Sequence, residues 1–365
     1  MQPKISVGIL GATGIVGQKF IALLEHHPWF KITDIVASQD SAGKIYSSIV
    51  RWREKTLLYP EVGNMRIKDC YAKLQSQILL SGLDANIAGS IEEQYTKLGH
   101  IVISNSSNHR MDRYVPLVIP EVNASHFQII KQQCLENSKF GFIVTNPNCS
   151  VMILAIALFP IHKKYQIDKI IVTTMQSISG AGYPGVASID ILGNIIPFIS
   201  GEEEKIESEL LKLFGKYNNN KINFANIKIS AACNRVPVTN GHTLSISFST
   251  KKKIKDYEII DAIQKFKGLT LPSSPKNLIK YFDDPCKPQP LFDTSYGNGM
   301  VISMGNLRPC KVLDWKITAL GNNTIRGAAG TAILNAEYIV NNNFQNCYTK
   351  LNKNSNKSSN ILDSK

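Results

Sequence analysis

The sequence predicts an α/β chain with two cores: a doubly wound parallel sheet in the first half, and a mixed sheet with helices on one face in the second. Three observations predict it. The apolar run Ile5–Leu10 passes through Gly11, Gly14 and Gly17 into Phe20, Leu23 and Leu24 at helical spacing, which is the pattern of strand, tight turn and helix. Short apolar runs then alternate with helical material as far as Ser150, as the connections of a parallel sheet require. Beyond Ser150, residues 243–250 and 315–320 alternate apolar and polar side chains, as half-buried strands of a mixed sheet do.

In order along the chain, 31–38 reads as the second strand, 85–89 as a weaker one and 100–104 as another. A helix over 151–161 leads into a strand at 169–174 and then a glycine-rich loop at 179–185. The segment 201–215 reads as a helix. Glu202, Glu203 and Glu204 occupy its first turn, Ile206, Leu210, Leu211, Leu213 and Phe214 make one apolar face, and Gly215 supplies the stop. Asn218 to Asn220 read as a surface loop, and a last helix spans about 326–340. The Lys-, Asn- and Ser-rich tail 350–365 has too few apolar residues to fold and is expected to be disordered.

Of 365 residues, 43% are apolar and 19% charged. That suffices for two ordinary cores, since single cores usually stop growing at about 250 to 300 residues. The net charge of +13 suits either nucleic acid or an anionic small molecule. The lysines are scattered apart from one run at 251–253, and no aromatic-interleaved basic stripe accompanies them. A small-molecule substrate is therefore expected and a nucleic-acid partner is not. The seven cysteines are odd in number and never form a C-x-x-C pair, which argues for a reducing, cytoplasmic compartment without disulfides or a metal site. The longest apolar stretch, 151–159, is far too short to span a bilayer, and no leader is recognised, so no membrane association is expected.

Two motifs carry chemistry. Gly8-Ile-Leu-Gly11-Ala-Thr-Gly14-Ile-Val-Gly17 exposes bare backbone N–H groups at a helix N-terminus, where a pyrophosphate binds, so the first domain reads as a Rossmann-type dinucleotide-binding domain. Asp34 falls inside the second strand rather than at its tip, where chains that take NAD carry their acid. Ser38, Ser41 and Lys44 beyond the tip offer hydroxyls and a cation to a 2'-phosphate, so NADP is favoured, with the charge of Asp40 opposing it.

The second motif, Thr145-Asn-Pro-Asn-Cys149-Ser150, sets a thiol at the start of a helix whose positive end lowers its pKa. Cys149 therefore reads as a nucleophile, and the other six cysteines as inert. Such a nucleophile needs an acid/base partner, and His242 stands out among seven histidines because it follows the Asn240-Gly241 turn and opens an alternating strand. Arg235 would lie roughly 23 Å from it on an extended chain. The two share a site only if Pro237 and that turn bend the chain back. Periodicity alone leaves Glu202 to Glu204 and Lys205 as charges of a solvated first turn.

Taken together, the motifs resemble the aspartate-semialdehyde dehydrogenase family in its archaeal and fungal-like branch, over about residues 5–338. They run in order from Gly11-Ala-Thr-Gly14-Ile-Val-Gly17-Gln18 and Ser41-Ala-Gly-Lys44, through Asn105-Ser-Ser-Asn-His-Arg110-Met111, Val118-Ile-Pro-Glu-Val-Asn123 and Asn146-Pro-Asn-Cys149-Ser150, to Ser179-Gly-Ala-Gly182, Gly201-Glu-Glu-Glu-Lys205, Arg235-Val-Pro-Val-Thr-Asn-Gly-His242 and Asn323-Thr-Ile-Arg-Gly327-Ala-Ala-Gly330.

The resemblance implies a second domain that is a glyceraldehyde-3-phosphate-dehydrogenase-like α+β catalytic and dimerisation domain over 150–325. It also implies that residues 326–348 return to complete the dinucleotide-binding domain 1–149. Cys149 is implied as nucleophile, His242 as general acid/base and Gln176 as an orienting residue near the thiol. Glu203 and Arg235 are implied as clamps for the substrate amino and carboxylate groups, and Arg110, Asn148 and Lys205 as phosphate-site residues. The implied cofactor contacts are Gly11, Thr13, Gly14, Ile15 and Val16, then Ser38, Ser41 and Lys44, Ser179 and Gly180, and Asn323 at the nicotinamide end. The chain departs from the family at Gln39-Asp40, where relatives often carry an Arg before Ser41.

The reaction so implied is NADPH-dependent reductive dephosphorylation of L-4-aspartyl phosphate to L-aspartate 4-semialdehyde through a thioester on Cys149. It is a step toward lysine, threonine and methionine, carried out by a homo-oligomer, either dimer or tetramer. The rivals are a related thioester-forming reductase acting on N-acetyl-glutamyl phosphate or malonyl-CoA, and a non-catalytic cofactor-binding sensor. Glu203 and Arg235 argue against the first, and intact Cys149 and His242 against the second.

Overall fold

The computed structural model describes residues 3–137 and 141–346; the expected disorder of 350–365 falls outside them. Five strands, β1 (Ile5–Leu10), β2 (Phe30–Val36), β3 (Ile78–Ser81), β4 (Ile101–Ser104) and β5 (Phe142–Thr145), pair in parallel in the order β2-β1-β3-β4-β5. Successive residues of each strand serve different cores, as the two-residue period of a strand dictates. Ile78, Leu80, Ile101, Ile103, Phe142 and Val144 face one side, while Leu79, Val102 and Ile143 face the other. Such strands read as unbroken apolar runs because helices cover both faces.

The expected strand at 85–89 is instead the first part of a helix, Ala85–Lys97. Asp84 caps it by accepting the Asn86 N–H at 3.0 Å, and Ile91 and Tyr95 bury its inner face. The strand itself is β3, which ends four residues earlier, and the cap that separates the two went unread. β5, only four residues long, also went unmarked in the sequence. The last helix, Gly330–Asn341, follows a π-helical turn at Ile325–Ala329 and buries Ala332, Ile333, Ala336 and Ile339 in the same core as Phe20 and Phe127.

The second sheet begins with β6 (Ile167–Gln176). A hairpin follows, β7 (Lys216–Asn218) and β8 (Lys221–Asn223), whose turn holds Asn219 and Asn220 at positive φ. Next come β9 (Lys228–Arg235), β10 (His242–Thr250), β11 (Ile279–Phe282), β12 (Ile302–Pro309) and β13 (Trp315–Gly321), with sheet order β11-β12-β13-β10-β6-β9. The sheet is mixed, with β6 parallel to β9 and antiparallel to β10. Helices Cys149–Tyr165, Glu202–Leu213 and Asp256–Lys265 pack on one face of it through Ile153, Leu210 and Ile259 against Val172 and Ile246. On the other face Ile171 is 46% exposed. Among the described residues, no helix is long and apolar enough to cross a membrane.

Candidate active site

Strand pairing answers the question left open for Arg235 and His242. β6 lies between β9 and β10, with Gln176 opposite Arg235 on one side and Met175 opposite Thr243 on the other. The chain between them crosses the end of β6, where Val236 N–H donates to the Gln176 carbonyl at 3.0 Å and Ile178 N–H to the Val238 carbonyl at 2.8 Å. Gln176, Arg235 and His242 thus sit on three adjacent strand ends, about two inter-strand spacings across, roughly 10 Å. Gly180 closes over them. A Cβ there would stand 2.9 Å from both Arg235 Nη1 and His242 Cε1.

Cys149 is the first residue of its helix. Asn148 caps that helix through Oδ1, which accepts the N–H groups of Ser150 at 2.9 Å and Val151 at 3.3 Å. Gly327 of the π-helical turn backs onto the cysteine so closely that a Cβ would lie 2.7 Å from Cys149 Cβ. The expected lowering of the thiol pKa by the helix end is overridden in the free protein. Burial, and then the Glu202 carboxylate, push it up to about 12, against the opposing charges of Arg110 and Arg235. The group is a thiol until its surroundings change.

The carboxylate facing the thiol is Glu202. It is 8% exposed and accepts from Asn148 Nδ2 at 2.9 Å, Gln176 Nε2 at 3.1 Å and Lys205 Nζ at 2.9 Å. Burial raises its pKa, but the Lys205 charge and these donors outweigh burial and hold it below the usual carboxylate range, so it is ionised. Glu203 points elsewhere: its Oε1 accepts the Cys233 N–H of β9 at 3.0 Å. A second buried acid, Glu209, joins two site residues, accepting from Arg110 Nη1 at 2.9 Å and from the Asn148 N–H at 2.7 Å. Lys212 pins the loop that carries Arg110, donating to the carbonyls of Arg110, Asp112 and Val115, and burial pushes its pKa down to about 8.

Sequence reasoning missed Glu202, Glu209 and Lys212 as site residues. The signal was present: 202, 209 and 212 fall on the helical face of Ile206, Leu210 and Leu213, and charges on an apolar stripe are buried ones.

His242 is fully buried. Its Nδ1 faces the Ser177 N–H at 3.0 Å and the Ser177 hydroxyl at 3.1 Å, while Nε2 has no partner. A backbone N–H can only donate, so Nδ1 is the acceptor and the imidazole proton lies on Nε2. Burial, and then the Arg235 charge, push its pKa down to about 3, so the ring is neutral. Asn323 braces the same corner. Its Oδ1 accepts from Ser177 Oγ at 3.2 Å and the Gly241 N–H at 2.9 Å, and its Nδ2 donates to Ser179 Oγ at 2.9 Å.

The glycine turn fits a dinucleotide. Gly11 stands at φ +78°, and Gly17 approaches it so closely that a Cβ would meet the Gly11 carbonyl oxygen at 2.2 Å. Helix Ile15–Leu24 is capped by Gly14, which brings no side chain to the free N–H groups of Ile15 and Val16 beside Thr13. Asp34 is unavailable to a ribose. It is buried and accepts from Lys68 Nζ at 2.6 Å, from the Gln75 and Ser76 N–H groups at 2.9 Å and from the Ser76 hydroxyl. Beyond the β2 tip, Ser38 and Ser41 approach each other at 3.4 Å, with Asp40 and Lys44 exposed beside them.

Residues 6–130 match the family model described as semialdehyde dehydrogenase, NAD binding domain, and residues 158–326 match semialdehyde dehydrogenase, dimerisation domain. The chain is 44% identical to the aspartate-semialdehyde dehydrogenase of Archaeoglobus fulgidus over 92% of this chain and 98% of that one. It is 42% identical to that of Schizosaccharomyces pombe over 92% and 97%. Among solved structures, the Candida albicans enzyme with NADP superposes with a TM-score of 0.85 at 36% identity, covering 94% of this chain and 100% of that one. A Vibrio cholerae enzyme complexed with ASA gives 0.75 at 25% identity, covering 93% and 99%. With both domain models matched in order around one thiol site, the chain belongs to the aspartate-semialdehyde dehydrogenase family.

Proposed function

We propose that this protein reduces L-4-aspartyl phosphate to L-aspartate 4-semialdehyde with NADPH, through a thioester on Cys149. The observation that carries the reading is that Asn148, the cap of the Cys149 helix, bonds the Glu202 carboxylate and shares Glu209 with Arg110, while Gln176 on Glu202 lies beside Arg235. The proposed substrate has matching groups: an ammonium, a carboxylate and an acyl phosphate. Glu202 rather than Glu203 takes the ammonium, because Glu202 bonds the Asn148 cap of the thiol's helix while Glu203 turns to Cys233 of β9. Arg235 takes the carboxylate, and Arg110, Asn148 and Lys205 receive the phosphate.

The Cys149 sulfur attacks the acyl carbon, the C–O bond to phosphate breaks, and the thiol proton leaves with the phosphate. Bound NADPH supplies the hydride that the thioester carbon then accepts. His242 keeps its proton and hydrogen-bonds through Nε2–H to the oxygen that becomes negative, as a neutral imidazole does in an oxyanion site. Collapse of that alkoxide breaks the C–S bond, releases the aldehyde and leaves a thiolate that takes a proton from solvent. Splitting one acyl reduction into two displacements at a thioester is the advantage of covalent catalysis. Gln176, on the Glu202 carboxylate, orients the acid that holds the substrate.

The residues that would hold NADP are Gly11 to Val16 of the turn, Ser38, Ser41 and Lys44 at the 2'-phosphate, and Ser179, Gly180 and Asn323 toward the thiol. The two cores behave as two domains, the last helix completing the first. The protein works as a homo-oligomer, for which the outward-facing Ile171 and the exposed Ile189, Leu192, Ile195 and Phe198 offer an apolar contact face. Among the described residues no cysteine is joined in a disulfide, which fits a reducing cytoplasm. Phosphate-dependent reduction of NADP by L-aspartate 4-semialdehyde tests the reaction, with NAD, N-acetyl-glutamate semialdehyde and malonate semialdehyde as controls. Activity confined to either rival aldehyde would sink it.

A further inference from the structure

Arg51 and Arg53 have no carboxylate partner among the described residues, and the acid beside them, Glu54, is ion-paired with Lys19. Their charged groups meet a tyrosine of the other domain instead. Arg51 Nη1 donates to the Tyr183 hydroxyl at 3.1 Å, and the Arg53 guanidinium lies 4.2 Å from the centre of the Tyr183 ring. Gln18 fixes where this pair sits. The buried amide donates through Nε2 to the Thr13 carbonyl at 2.9 Å and the Arg51 carbonyl at 3.2 Å, and its Oε1 accepts the Arg53 N–H at 2.7 Å. One side chain therefore ties the arginine segment to the glycine turn that receives a pyrophosphate.

The tyrosine end is anchored just as specifically. Tyr183 follows Ser179 and Gly180, and Gly180 abuts His242 and Arg235. The contact of Arg51 with Tyr183 thus runs from the glycine turn to the loop beside the imidazole, the stretch a dinucleotide crosses when its nicotinamide reaches the thiol. Tyr183 also stands near two glycines at positive φ, Gly182 at +74° and Gly185 at +85°, a conformation that glycine takes without strain.

We propose that Arg51 and Arg53 are ligands of the dinucleotide pyrophosphate, held beside the glycine turn by Gln18 and pre-positioned by Tyr183. A guanidinium presents a fork of donors that matches a phosphate. A tyrosine hydroxyl and ring face are weaker partners than an anion, so they orient the arginines without competing for them. The inference rests on the NADP-dependent reading of the first domain. It assigns the pyrophosphate, the part NADP and NAD share, and not the 2'-phosphate.

Calorimetric titration of the intact free enzyme with NADP and with NAD reads binding without turnover. Both arginine side chains are exposed, so truncating them does not threaten the fold. Arg51→Ala and Arg53→Ala should each weaken both dinucleotides by the same factor, about 10-fold or more, as the loss of a charge-assisted bond predicts. Arg51→Lys should recover part of the loss, and Tyr183→Phe should change binding less than about 3-fold. A loss confined to NADP would move the arginines to the 2'-phosphate and overturn the assignment. Unchanged titrations of both alanine variants beside a normal parent would overturn it too, while leaving the proposed reaction standing. A parent that binds neither dinucleotide would instead overturn the reading on which the inference rests.

Discussion

Ser177 donates its backbone N–H to Nδ1 of His242 at 3.0 Å, and this contact decides which ring nitrogen carries the proton. Because Nδ1 is occupied as an acceptor, the unpartnered Nε2 carries the proton and is a donor. Long-range 1H–15N correlation on histidine-labelled free enzyme should show His242 as the neutral Nε2–H tautomer. It should stay neutral from pH 8 down to about pH 5, since burial pushes its pKa to about 3. An imidazolium signal for His242 at pH 6 would refute the assignment.

The thiol should be sluggish in the free enzyme. With its pKa pushed up to about 12, Cys149 is almost wholly protonated at pH 7. Its alkylation by iodoacetamide, followed residue by residue by mass spectrometry, should accelerate about tenfold per pH unit between pH 7 and 10. The exposed Cys286, and Cys310 with its lowered pKa, should be labelled first. A Cys149 rate that is already flat above pH 7 would mean that the helix end does win over burial. Cys149→Ser should fold and bind NADP yet lose turnover, because an alcohol cannot supply the nucleophile.

Neighbouring glutamates should separate cleanly. Glu202→Ala removes the charge proposed for the substrate ammonium and should raise KM for the semialdehyde about 10 to 150-fold, with little change in NADP affinity. Glu203→Ala removes only the bond to the Cys233 N–H and should cost about 1 kcal/mol of stability with KM nearly unmoved. Equal kinetic penalties for the two would show that the carboxylates share the ammonium.

Glu209 should matter for both stability and phosphate. Glu209→Ala leaves the buried Arg110 guanidinium with the Asn105 carbonyl alone and the Asn148 N–H without its acceptor, a change that costs about 3 to 5 kcal/mol when a buried ion pair is broken. Tm should fall and KM for phosphate should rise together. Glu209→Gln, which keeps one acceptor oxygen but sets an NH2 against the other donor and removes the charge, should recover only part of Tm. If phosphate kinetics stay at the parent level in Glu209→Ala, Arg110 does not depend on this acid for its position.

Cofactor choice should turn on the loop after β2. Lys44→Ala should weaken NADP about 10-fold or more and leave NAD nearly unchanged. Asp40→Arg should sharpen the preference, because it replaces a repelling carboxylate with a phosphate donor. Equal NAD and NADP titrations, insensitive to both substitutions, would show that this loop does not read the 2'-phosphate.

Local pattern was enough to mark the strand, glycine turn and helix at 5–24, the thiol at the head of its helix and the alternating strand β10. Each depends on residues close together in sequence, whose spacing reports backbone geometry directly. The same reasoning misplaced a strand at 85–89, because a four-residue buried strand and the first turn of a helix are both short apolar runs, and only the Asp84 cap tells them apart. Which glutamate acts on the thiol, and which nitrogen of His242 carries the proton, were not legible at all. Glu202 and Glu203 differ by a rotation of about 100° on one helix, and that rotation has a consequence only when β9 takes one carboxylate and the loop of Asn148 the other. The free thiol pKa was likewise decided by the tertiary structure: the helix end acts from adjacent residues, but burial and the Glu202 charge come from parts of the chain that meet only in the fold.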